Sequence, residues 1–357
     1  MRWPVGVQLQ HAFISVHVTN YCWVHSLALR LVRSPMPSLS LAHSADPDDC
    51  FMWWPITGKI NPDGTPYAGR DGKPRINTGD FTFQAIPGDI SVFNRLASRS
   101  DADGGAPYDI TALSVRAYAD VHARYAITSC GSSFGEGYGP KLVARIDNDE
   151  IGCENCLKGP DVIIAVPGLR TSAFMTMGLL LGAQAMQPMS RFIELPFDQI
   201  IPAVRDGKAS AGLVIHEGQV TFAQAGLRQV IDLGAWWKKH RGLPLPLGIN
   251  AVKRDLDARF GPGTIAEVSR LLQASLDYAM AHRDESIEYT MPFAAINAKN
   301  SGTDAPTTQI VEKYIDMYVT DLTVDMGQEG RTAIEWLLRE GTEAGLCPRV
   351  DEIDVVS

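Results

Sequence analysis

The run at residues 211–217, AGLVIHE, constrains the fold more than any other stretch of this chain. Its apolar part has the length and composition of a short buried strand, and it stops abruptly at His216 and Glu217. A strand that ends in this way delivers an imidazole and a carboxylate to the rim of a sheet, where α/β proteins usually bind ligands. His216 is therefore the first candidate for a functional residue. A structural histidine at a strand end is an equal alternative at this point.

Short apolar strands that pass into helices recur along the rest of the chain. Such units are predicted at residues 39–49, 109–121, 161–184 and 192–205, and amphipathic helices are predicted near residues 264–279, 308–318 and 329–340. Alternation of strands and helices is typical of an α/β protein with a mainly parallel sheet. Ser114 stands at one strand-to-helix junction, and Thr171 and Ser172 stand at another. The hydroxyls of that pair either cap the helix or help to bind an anion at its amino terminus.

Composition narrows the class of protein. The chain has 357 residues, of which 45% are hydrophobic and 20% charged, enough for two domains with separate cores. The formal net charge of −9 and the absence of a basic stripe in the sequence argue against a nucleic-acid partner. Because no uncharged apolar run reaches the length of about 18 residues that a membrane span needs, we expect no membrane segment.

The cysteines do not form the pattern of a disulfide scaffold. Six are present in a chain of this length, so a reducing compartment is expected. Cys153 and Cys156 have the spacing of half a zinc knuckle or of a redox pair, but no second Cys/His pair is suitably spaced. A surface connector with two free thiols is the simpler interpretation, and no metal is predicted.

Several separate motifs, in the same order along the chain, resemble a known enzyme family. They are DITALSVRAYADV, GYGPKLVAR, VPGLRTSAF, IELPFDQ, VIHE, DLGAWW and GLPLPLG. Together they are similar to the 1,4-dihydroxy-6-naphthoate synthases of the futalosine route to menaquinone. The resemblance extends from about residue 38 to residue 346 and is interrupted mainly by residues 61–79.

The resemblance implies a two-lobed α/β fold like that of the type II periplasmic solute-binding proteins, with the ligand in a cleft between the lobes. Residues 36–144 and 252–357 are expected to form a discontinuous first lobe, and residues 145–251 the second lobe. Residues 61–79, rich in turn dipeptides, are expected to form a hairpin-like surface insertion. Residues 1–35 lack the pattern of a secretory signal and are expected to be a non-structural extension before Met36.

The resemblance also implies the positions of the site residues. The catalytic histidine of the family lies in an Ile-His-Glu motif, which here is Ile215-His216-Glu217. The matching motifs imply five substrate-binding positions: Ala112, Leu113, Ser114, Thr171 and Ser172. Ser44 and Glu217 are two further candidates of lower rank. Where the family has Ser-Pro-Cys-Pro-Asn-Asp, this chain has Ser44-Ala-Asp-Pro-Asp-Asp49, which adds negative charge near a site for an anion.

The implied reaction cleaves cyclic dehypoxanthinyl futalosine to 1,4-dihydroxy-6-naphthoate in the cytoplasm, without a redox or metal cofactor. Neutral His216 would act as the general base, because an imidazole with a pKa near 6.5 keeps a basic fraction at neutral pH. Two alternatives remain: a chorismate dehydratase of the same pathway, and a solute-binding protein without catalysis. The partner is expected to be a small molecule, with no nucleic acid and no membrane, and the protein a monomer or homodimer.

Overall fold

The computed structural model describes residues 36–357. The predicted extension at residues 1–35, including Cys22, lies outside the described residues. The description below concerns only the part of the chain that begins at Met36.

The larger of two β-sheets has seven strands in the described part of the chain. They are β1 (Ser38–Ser44), β2 (Thr82–Gly88), β3 (Ile110–Ser114), β4 (Tyr125–Thr128), β5 (Ser133–Gly135), β11 (Leu245–Lys253) and β12 (Val355–Val356). Their order is β12-β4-β11-β3-β1-β2, and β5 also pairs with β11. Strands β1 and β3 are parallel, with Leu41 opposite Ile110. Ser44 and Ser114, which end these two strands, therefore lie at the same edge of the sheet.

The smaller sheet has five strands within residues 36–357. They are β6 (Lys141–Arg145), β7 (Ile164–Val166), β8 (Phe192–Glu194), β9 (Ala211–Val214) and β10 (Leu227–Asp232), in the order β10-β6-β9-β7-β8. Strands β7 and β9 are parallel, with Ile164 opposite Ala211. The segments that follow them, which carry Thr171 and His216, therefore leave the same edge of this sheet.

Helices cover both sheets. They are α1 (Pro47–Thr57), α2 (Ile90–Ala97), α3 (Val115–Val121), α4 (Ser172–Leu181), α5 (Ile200–Arg205), α6 (Gly218–Thr221), α7 (Leu233–Arg241), α8 (Leu256–Phe260), α9 (Thr264–Ala281), α10 (Arg283–Asn300), α11 (Thr308–Tyr318), α12 (Asp321–Val324) and α13 (Gly327–Glu343). The junctions predicted at Ser114 and at Thr171 and Ser172 lie at the starts of α3 and α4.

Buried apolar side chains form cores in both lobes and between them. Leu41, Trp53 and Leu272 belong to a cluster that packs α1 and α9 against the larger sheet. Another cluster packs α5 against the smaller sheet. A third extends through α4, α7 and α13 and includes residues of both sheets, among them Leu113 and Leu142. The two lobes are therefore packed together through a shared apolar core.

Sheet membership moves the two lobe boundaries from their predicted positions. Residues 141–144 were expected in the first lobe, but β6 pairs with β9 and β10 of the smaller sheet. Residues 245–251 were expected in the second lobe, but β11 pairs with β3, β4 and β5 of the larger sheet. The chain therefore crosses near Pro140 and at residues 242–244. A strand belongs to the sheet that supplies its hydrogen-bonding partners, and the hydrophobic pattern does not specify those partners.

The insertion at residues 61–79 begins with a tight hairpin and continues as successive turns. The Asn61 N–H donates to the Thr65 carbonyl at 2.7 Å, and the Tyr67 N–H donates to the Lys59 carbonyl at 2.9 Å. In the described chain, its β-pairing is limited to one antiparallel bridge, from Pro66 to Ile60. The segment is attached to α10, because the rings of Tyr67 and Tyr289 contact edge to face and Arg75 lies 3.5 Å from Glu285. It covers a helix of the larger lobe.

Candidate active site

A small cavity lies between the two lobes and has a volume of about 90 Å³. Six of the positions that the sequence predicts for substrate binding line it: Ser44, Ala112, Leu113, Ser114, Thr171 and Ser172. They come from β1, β3 and the start of α4, and therefore from both sheets. Ligand sites for molecules of ordinary size occupy a few hundred Å³. We therefore interpret the structure as a closed form that must open to admit a ligand.

Ser114 is held in place by a side chain of α2. Asn94 Nδ2 donates a hydrogen bond to Ser114 Oγ at 2.9 Å, and the Ser114 main-chain N–H donates to Asn94 Oδ1 at 2.9 Å. This pair of bonds fixes the serine at the end of β3. Its hydroxyl oxygen accepts from Asn94, so its own hydrogen is available to donate to a group in the cavity.

The hydroxyls at the start of α4 are used within the protein. Thr171 Oγ1 accepts from the Phe174 N–H at 3.1 Å and donates to the Gly168 carbonyl at 2.8 Å, so Thr171 is the N-cap of α4. Ser172 Oγ donates to the Leu247 carbonyl at 2.6 Å, a bond that connects the two lobes. The donors left for a ligand at this end are the first-turn N–H groups of Ser172 and Ala173, which lack partners within the helix.

His216 follows β9, as predicted, and its ring is buried beside the cavity. Its exposed fraction is 1%, and its ring centroid lies 4.8 Å from that of Phe197. Within residues 36–357, Nδ1 has no hydrogen-bond partner. Burial lowers the pKa of His216 to about 3, so the imidazole is neutral. Ile215 lines the cavity, whereas His216 lies outside the lining in this closed form.

Glu217 is also buried beside the cavity rather than in its lining, with 3% of its surface exposed. In the part of the chain that the structure describes, neither of its carboxylate oxygens has a hydrogen-bond partner. It therefore does not hold the imidazole of His216 by a hydrogen bond. Burial, reinforced by the charges of Asp48 and Asp198, raises the pKa of Glu217 to about 7.

Three aspartates at the start of α1 line the same cavity: Asp46, Asp48 and Asp49. Asp49 Oδ2 accepts from the Ser44 N–H at 2.6 Å, which ties this turn to the end of β1. Burial raises the pKa of Asp48 to about 6, and burial and the charge of Glu217 raise the pKa of Asp46. Within residues 36–357, no Lys, Arg or His lines the cavity.

The tyrosines of α11 were not predicted as site residues. Tyr314 and Tyr318, one helical turn apart, line the cavity and are each 2% exposed. Asn250 of β11, also not predicted, lines it as well. The spacing of the two tyrosines places them on one helix face. Nothing in the sequence indicates that this face meets residues more than a hundred positions away.

The tryptophans of the DLGAWW motif and the cysteine pair lie outside the cavity lining. Trp237 is buried and donates from Nε1 to the Pro244 carbonyl at 3.2 Å, so it packs in the core. Cys153 and Cys156 lie in the connection between β6 and β7. Among residues 36–357, no group of three or more His, Cys, Asp or Glu side chains has the arrangement of a metal site. The helices of this region include none that is long and apolar enough to span a membrane.

Two α/β lobes that enclose a cavity and are joined by two chain crossings define the class of periplasmic-binding-protein folds. A solved structure from Archaeoglobus fulgidus has a TM-score of 0.63 and 32% identity, and the match covers 87% of this chain and 98% of that one. A Candida albicans protein described as having the generic periplasmic-binding-protein fold has a TM-score of 0.58 and 10% identity, covering 88% and 92%. The nitrate-binding protein of Synechocystis has a TM-score of 0.55 and 13% identity, covering 88% and 83%.

The chain belongs to the menaquinone biosynthesis family, whose model matches residues 39–343. A relative from Thermus thermophilus is 32% identical over 313 residues, which cover 87% of this chain and 97% of the relative. A relative from Streptomyces coelicolor is 29% identical over 311 residues, covering 87% and 95%. Both relatives are described as 1,4-dihydroxy-6-naphthoate synthase.

Proposed function

We propose that this protein is a carbon-carbon lyase that converts cyclic dehypoxanthinyl futalosine to 1,4-dihydroxy-6-naphthoate. One observation carries the proposal: in a member of the menaquinone biosynthesis family, six predicted substrate-binding positions from two lobes line a single cavity. The substrate is a small molecule, and the reaction uses no redox or metal cofactor. The reaction is placed in the cytoplasm, and the protein acts as a monomer or homodimer.

His216 is the general base in this proposal. The neutral imidazole takes a proton from a substrate hydroxyl or acidic carbon, the carbon-carbon bond breaks, and formation of an aromatic ring favours the cleavage. A base works best when its pKa lies near the operating pH, and the pKa of about 3 belongs to the buried ring of the closed form. In the closed complex, a substrate group that accepts a hydrogen bond from the protonated ring favours its charged form and raises this pKa toward the operating pH.

Opening and closing of the lobes is therefore part of the mechanism. The closed cavity of about 90 Å³ is too small for a bicyclic carbon skeleton that carries a sugar-derived fragment. Lobe closure over a bound ligand expels water and assembles groups from both sides. The Ser172 hydroxyl, which bonds to the Leu247 carbonyl across the lobes, marks where closure brings the α4 end of the cavity against β11.

The donor groups suit an anionic substrate at one end of the cavity. The first-turn amides of α4 and the hydroxyl of Ser114 supply hydrogen bonds to a carboxylate. Within the described residues no positively charged side chain lines the cavity, so these neutral donors and the helix dipole must hold the carboxylate.

The test is to incubate the purified full chain with cyclic dehypoxanthinyl futalosine and to measure the dihydroxynaphthoate by liquid chromatography and mass spectrometry. We expect product with this substrate and none with chorismate. Product from chorismate alone would identify a chorismate dehydratase. Binding of the futalosine derivative without turnover, under conditions in which a naphthoate synthase is active, would identify a solute-binding protein.

A further inference from the structure

Three hydrogen-bond acceptors of the cavity lining have no donor. Within residues 36–357, Asp46 Oδ1, Asp48 Oδ1 and Asn250 Oδ1 are buried and have no hydrogen-bond partner. The exposed fractions of these residues are 9%, 6% and 1%, and all three line the cavity. Buried acceptors without a donor are unfavourable. Such a set is expected where a ligand supplies the donors.

The other end of two of these polar groups, those of Asn250 and Asp48, is held by the protein. Asn250 Nδ2 donates to the Gly131 carbonyl at 2.8 Å, which leaves Oδ1 as the free end of the amide. Asp48 Oδ2 accepts from Ser133 Oγ at 3.4 Å, which leaves Oδ1 free in the same way. Gly131, which precedes β5, and Ser133 of β5 thus hold Asn250 and Asp48 in place before a ligand binds.

One of the three acceptors, Asp48, lies away from Ser114. Gly248 of β11 pairs with Ser114 on one side and with Ser133 on the other. Ser114 and Ser133 are therefore two strand spacings apart, about 10 Å. Ser114 lies at the donor end, whereas Ser133 contacts Asp48. Asp48 is therefore the acceptor on the far side of the cavity from Ser114, whereas the Asp46 N–H donates to Ser44 Oγ at 3.2 Å at the end of β1, the strand beside β3.

We propose that Asp46, Asp48 and Asn250 form a subsite that binds hydroxyl groups of the ligand and so fixes its orientation. Hydroxyls donate to these acceptors. A carboxylate is repelled by Asp48, which is ionised above its pKa of about 6, and must lie at the α4 end. The inference rests on the proposed function for the identity of the ligand.

The experiment measures binding of cyclic dehypoxanthinyl futalosine by calorimetry in an inactive His216→Asn background, and KM and kcat in the otherwise native protein. We expect Asp48→Ala and Asp46→Ala each to weaken binding about ten- to a hundredfold, with a matching rise in KM. Because the hydroxyls are bound before and during reaction, kcat changes less than KM. Asp48→Asn, which keeps the shape and one acceptor, lies between Asp48→Ala and the native protein and covers the case in which Asp48→Ala does not fold.

Asp80→Ala is the matched control, because it removes an exposed carboxylate of the same lobe and is expected to leave binding unchanged. Unchanged binding in both aspartate variants, with product formed by the native protein, overturns the subsite alone. Tighter binding in Asp48→Ala also overturns it, since that result places the substrate carboxylate beside the aspartates. If the native protein neither binds nor converts the substrate, the proposed function fails and the subsite with it.

A second inference concerns the surface of the smaller lobe and does not depend on the proposed function. Cys153 Sγ and Cys156 Sγ are 2.7 Å apart, and Cys153 is exposed. Arg228 holds the preceding chain by donating to the Asn148 and Ile151 carbonyls at 2.8 and 2.9 Å. Arg191 holds the following chain by donating to the Leu157 and Val162 carbonyls. The two thiols are thus kept in contact by anchored backbone on both sides.

We propose that Cys153 and Cys156 form a reversible dithiol-disulfide pair that exchanges with low-molecular-weight disulfides such as oxidised glutathione. One cysteine thiolate attacks the external disulfide, releases one glutathione thiolate and forms a mixed disulfide. The other cysteine gives up its proton and displaces the second glutathione, so the protein loses two hydrogens and two glutathione thiols form. A disulfide between Cys153 and Cys156 closes a very short loop and therefore constrains the unfolded chain little. It would act as a redox site rather than as a stabilising cross-link.

The test treats full-length protein in a Cys22→Ser background with oxidised glutathione and maps the products by mass spectrometry. We expect the mass to fall by two hydrogens within the peptide that contains Cys153 and Cys156, and reduced glutathione to reverse the change. Cys153→Ser in the same background should instead keep one glutathione on Cys156. Two results overturn the proposal. One is glutathione that stays bound to both cysteines. The other is no change in the protein when the same oxidised glutathione does oxidise a small-molecule dithiol.

Discussion

The hydroxyl of Tyr318 donates a hydrogen bond to Oε1 of Gln219 at 2.9 Å, joining α11 of the larger lobe to α6 of the smaller. Gln219 in turn donates from Nε2 to the Ile215 carbonyl at 2.8 Å. Ile215 and Tyr318 both line the cavity, and His216 is the next residue along the chain. A hydrogen bond between the lobes therefore stabilises the closed form next to His216, the base of the proposed mechanism.

Removing that contact should favour the open form. We expect Tyr318→Phe to raise KM about five- to tenfold, because the loss of one buried hydrogen bond disfavours closure by about 1 kcal/mol or more. Gln219→Leu should raise KM at least as much, because it also removes the bond from Nε2 to the Ile215 carbonyl. The effects of the two changes should be less than additive, since both remove the bond between Tyr318 and Gln219. Steady-state kinetics of the four proteins measure this coupling. Tyr289→Phe, which alters a buried tyrosine bonded to the Ile60 N–H, is the control. Additive effects of the two changes would argue against a shared contact.

Replacement of His216 tests its role as the base. We expect His216→Asn to lower kcat by about 10²- to 10⁴-fold, the usual contribution of a positioned acid or base, and to leave the circular dichroism spectrum unchanged. His122→Asn is the matched control, because His122 lies at the end of α3 and its Nδ1 is bonded to the Ala119 carbonyl. A His216→Asn protein with nearly normal kcat would remove His216 from the mechanism.

Gly218 is expected to control the position of the imidazole. A Cβ at residue 218 would lie 2.9 Å from Cε1 and 3.0 Å from Nε2 of His216. Gly218→Ala should therefore displace the ring and lower kcat more than tenfold, while the melting temperature falls by only a few degrees. Gly152→Ala is the control, since a Cβ there would be at an ordinary 3.6 Å from the Asp149 carbonyl. Equal kcat in the two variants would contradict this role.

The buried carboxyl of Glu217 should make stability depend on pH. Its pKa of about 7 in the folded protein is above its ordinary value of 4.5, so folding is disfavoured as the pH rises through this interval. We expect Glu217→Gln to be more stable than the native protein at pH 8 by about 2 kcal/mol, and the difference to shrink toward pH 5. Burial lowers the pKa values of His43 and His216 to about 4 and 3, so their contribution to stability increases as the pH rises. Both histidines are present in both proteins, and their contribution therefore cancels in the difference.

Thermal unfolding of the two proteins across pH 5–8 measures this difference. A stability difference that does not change with pH would mean that Glu217 does not titrate in this interval. Glu343→Gln, at the end of α13, is the control for loss of a carboxylate outside the cavity.

Local sequence patterns predicted the strand-to-helix junctions closely. Ser114 ends β3 and Thr171 caps α4. Both junctions are readable in the sequence because hydroxyl residues are favoured at the position where an apolar strand gives way to a helix. The helix α10 was missed, because Pro292 within it is a helix-breaking signal in the sequence and its buried positions include polar residues such as Ser286 and Asn297. The helix at residue 264 begins as predicted, but Gly263 occupies the cap position and Thr264 Oγ1 donates to the Gly261 carbonyl.

The sequence by itself determined the α/β class, the resemblance to its family and the strand end that carries His216 and Glu217, since each depends on residues close together in the chain. Only the tertiary structure decided that β6 and β11 belong to opposite sheets from those expected, and that Tyr314, Tyr318 and Asn250 face the same cavity as Ser44. Only burial decided the charge state of His216 and Glu217, because desolvation shifts their pKa values in opposite directions. Contacts and dielectric environment arise from segments far apart in sequence, and no local pattern encodes them.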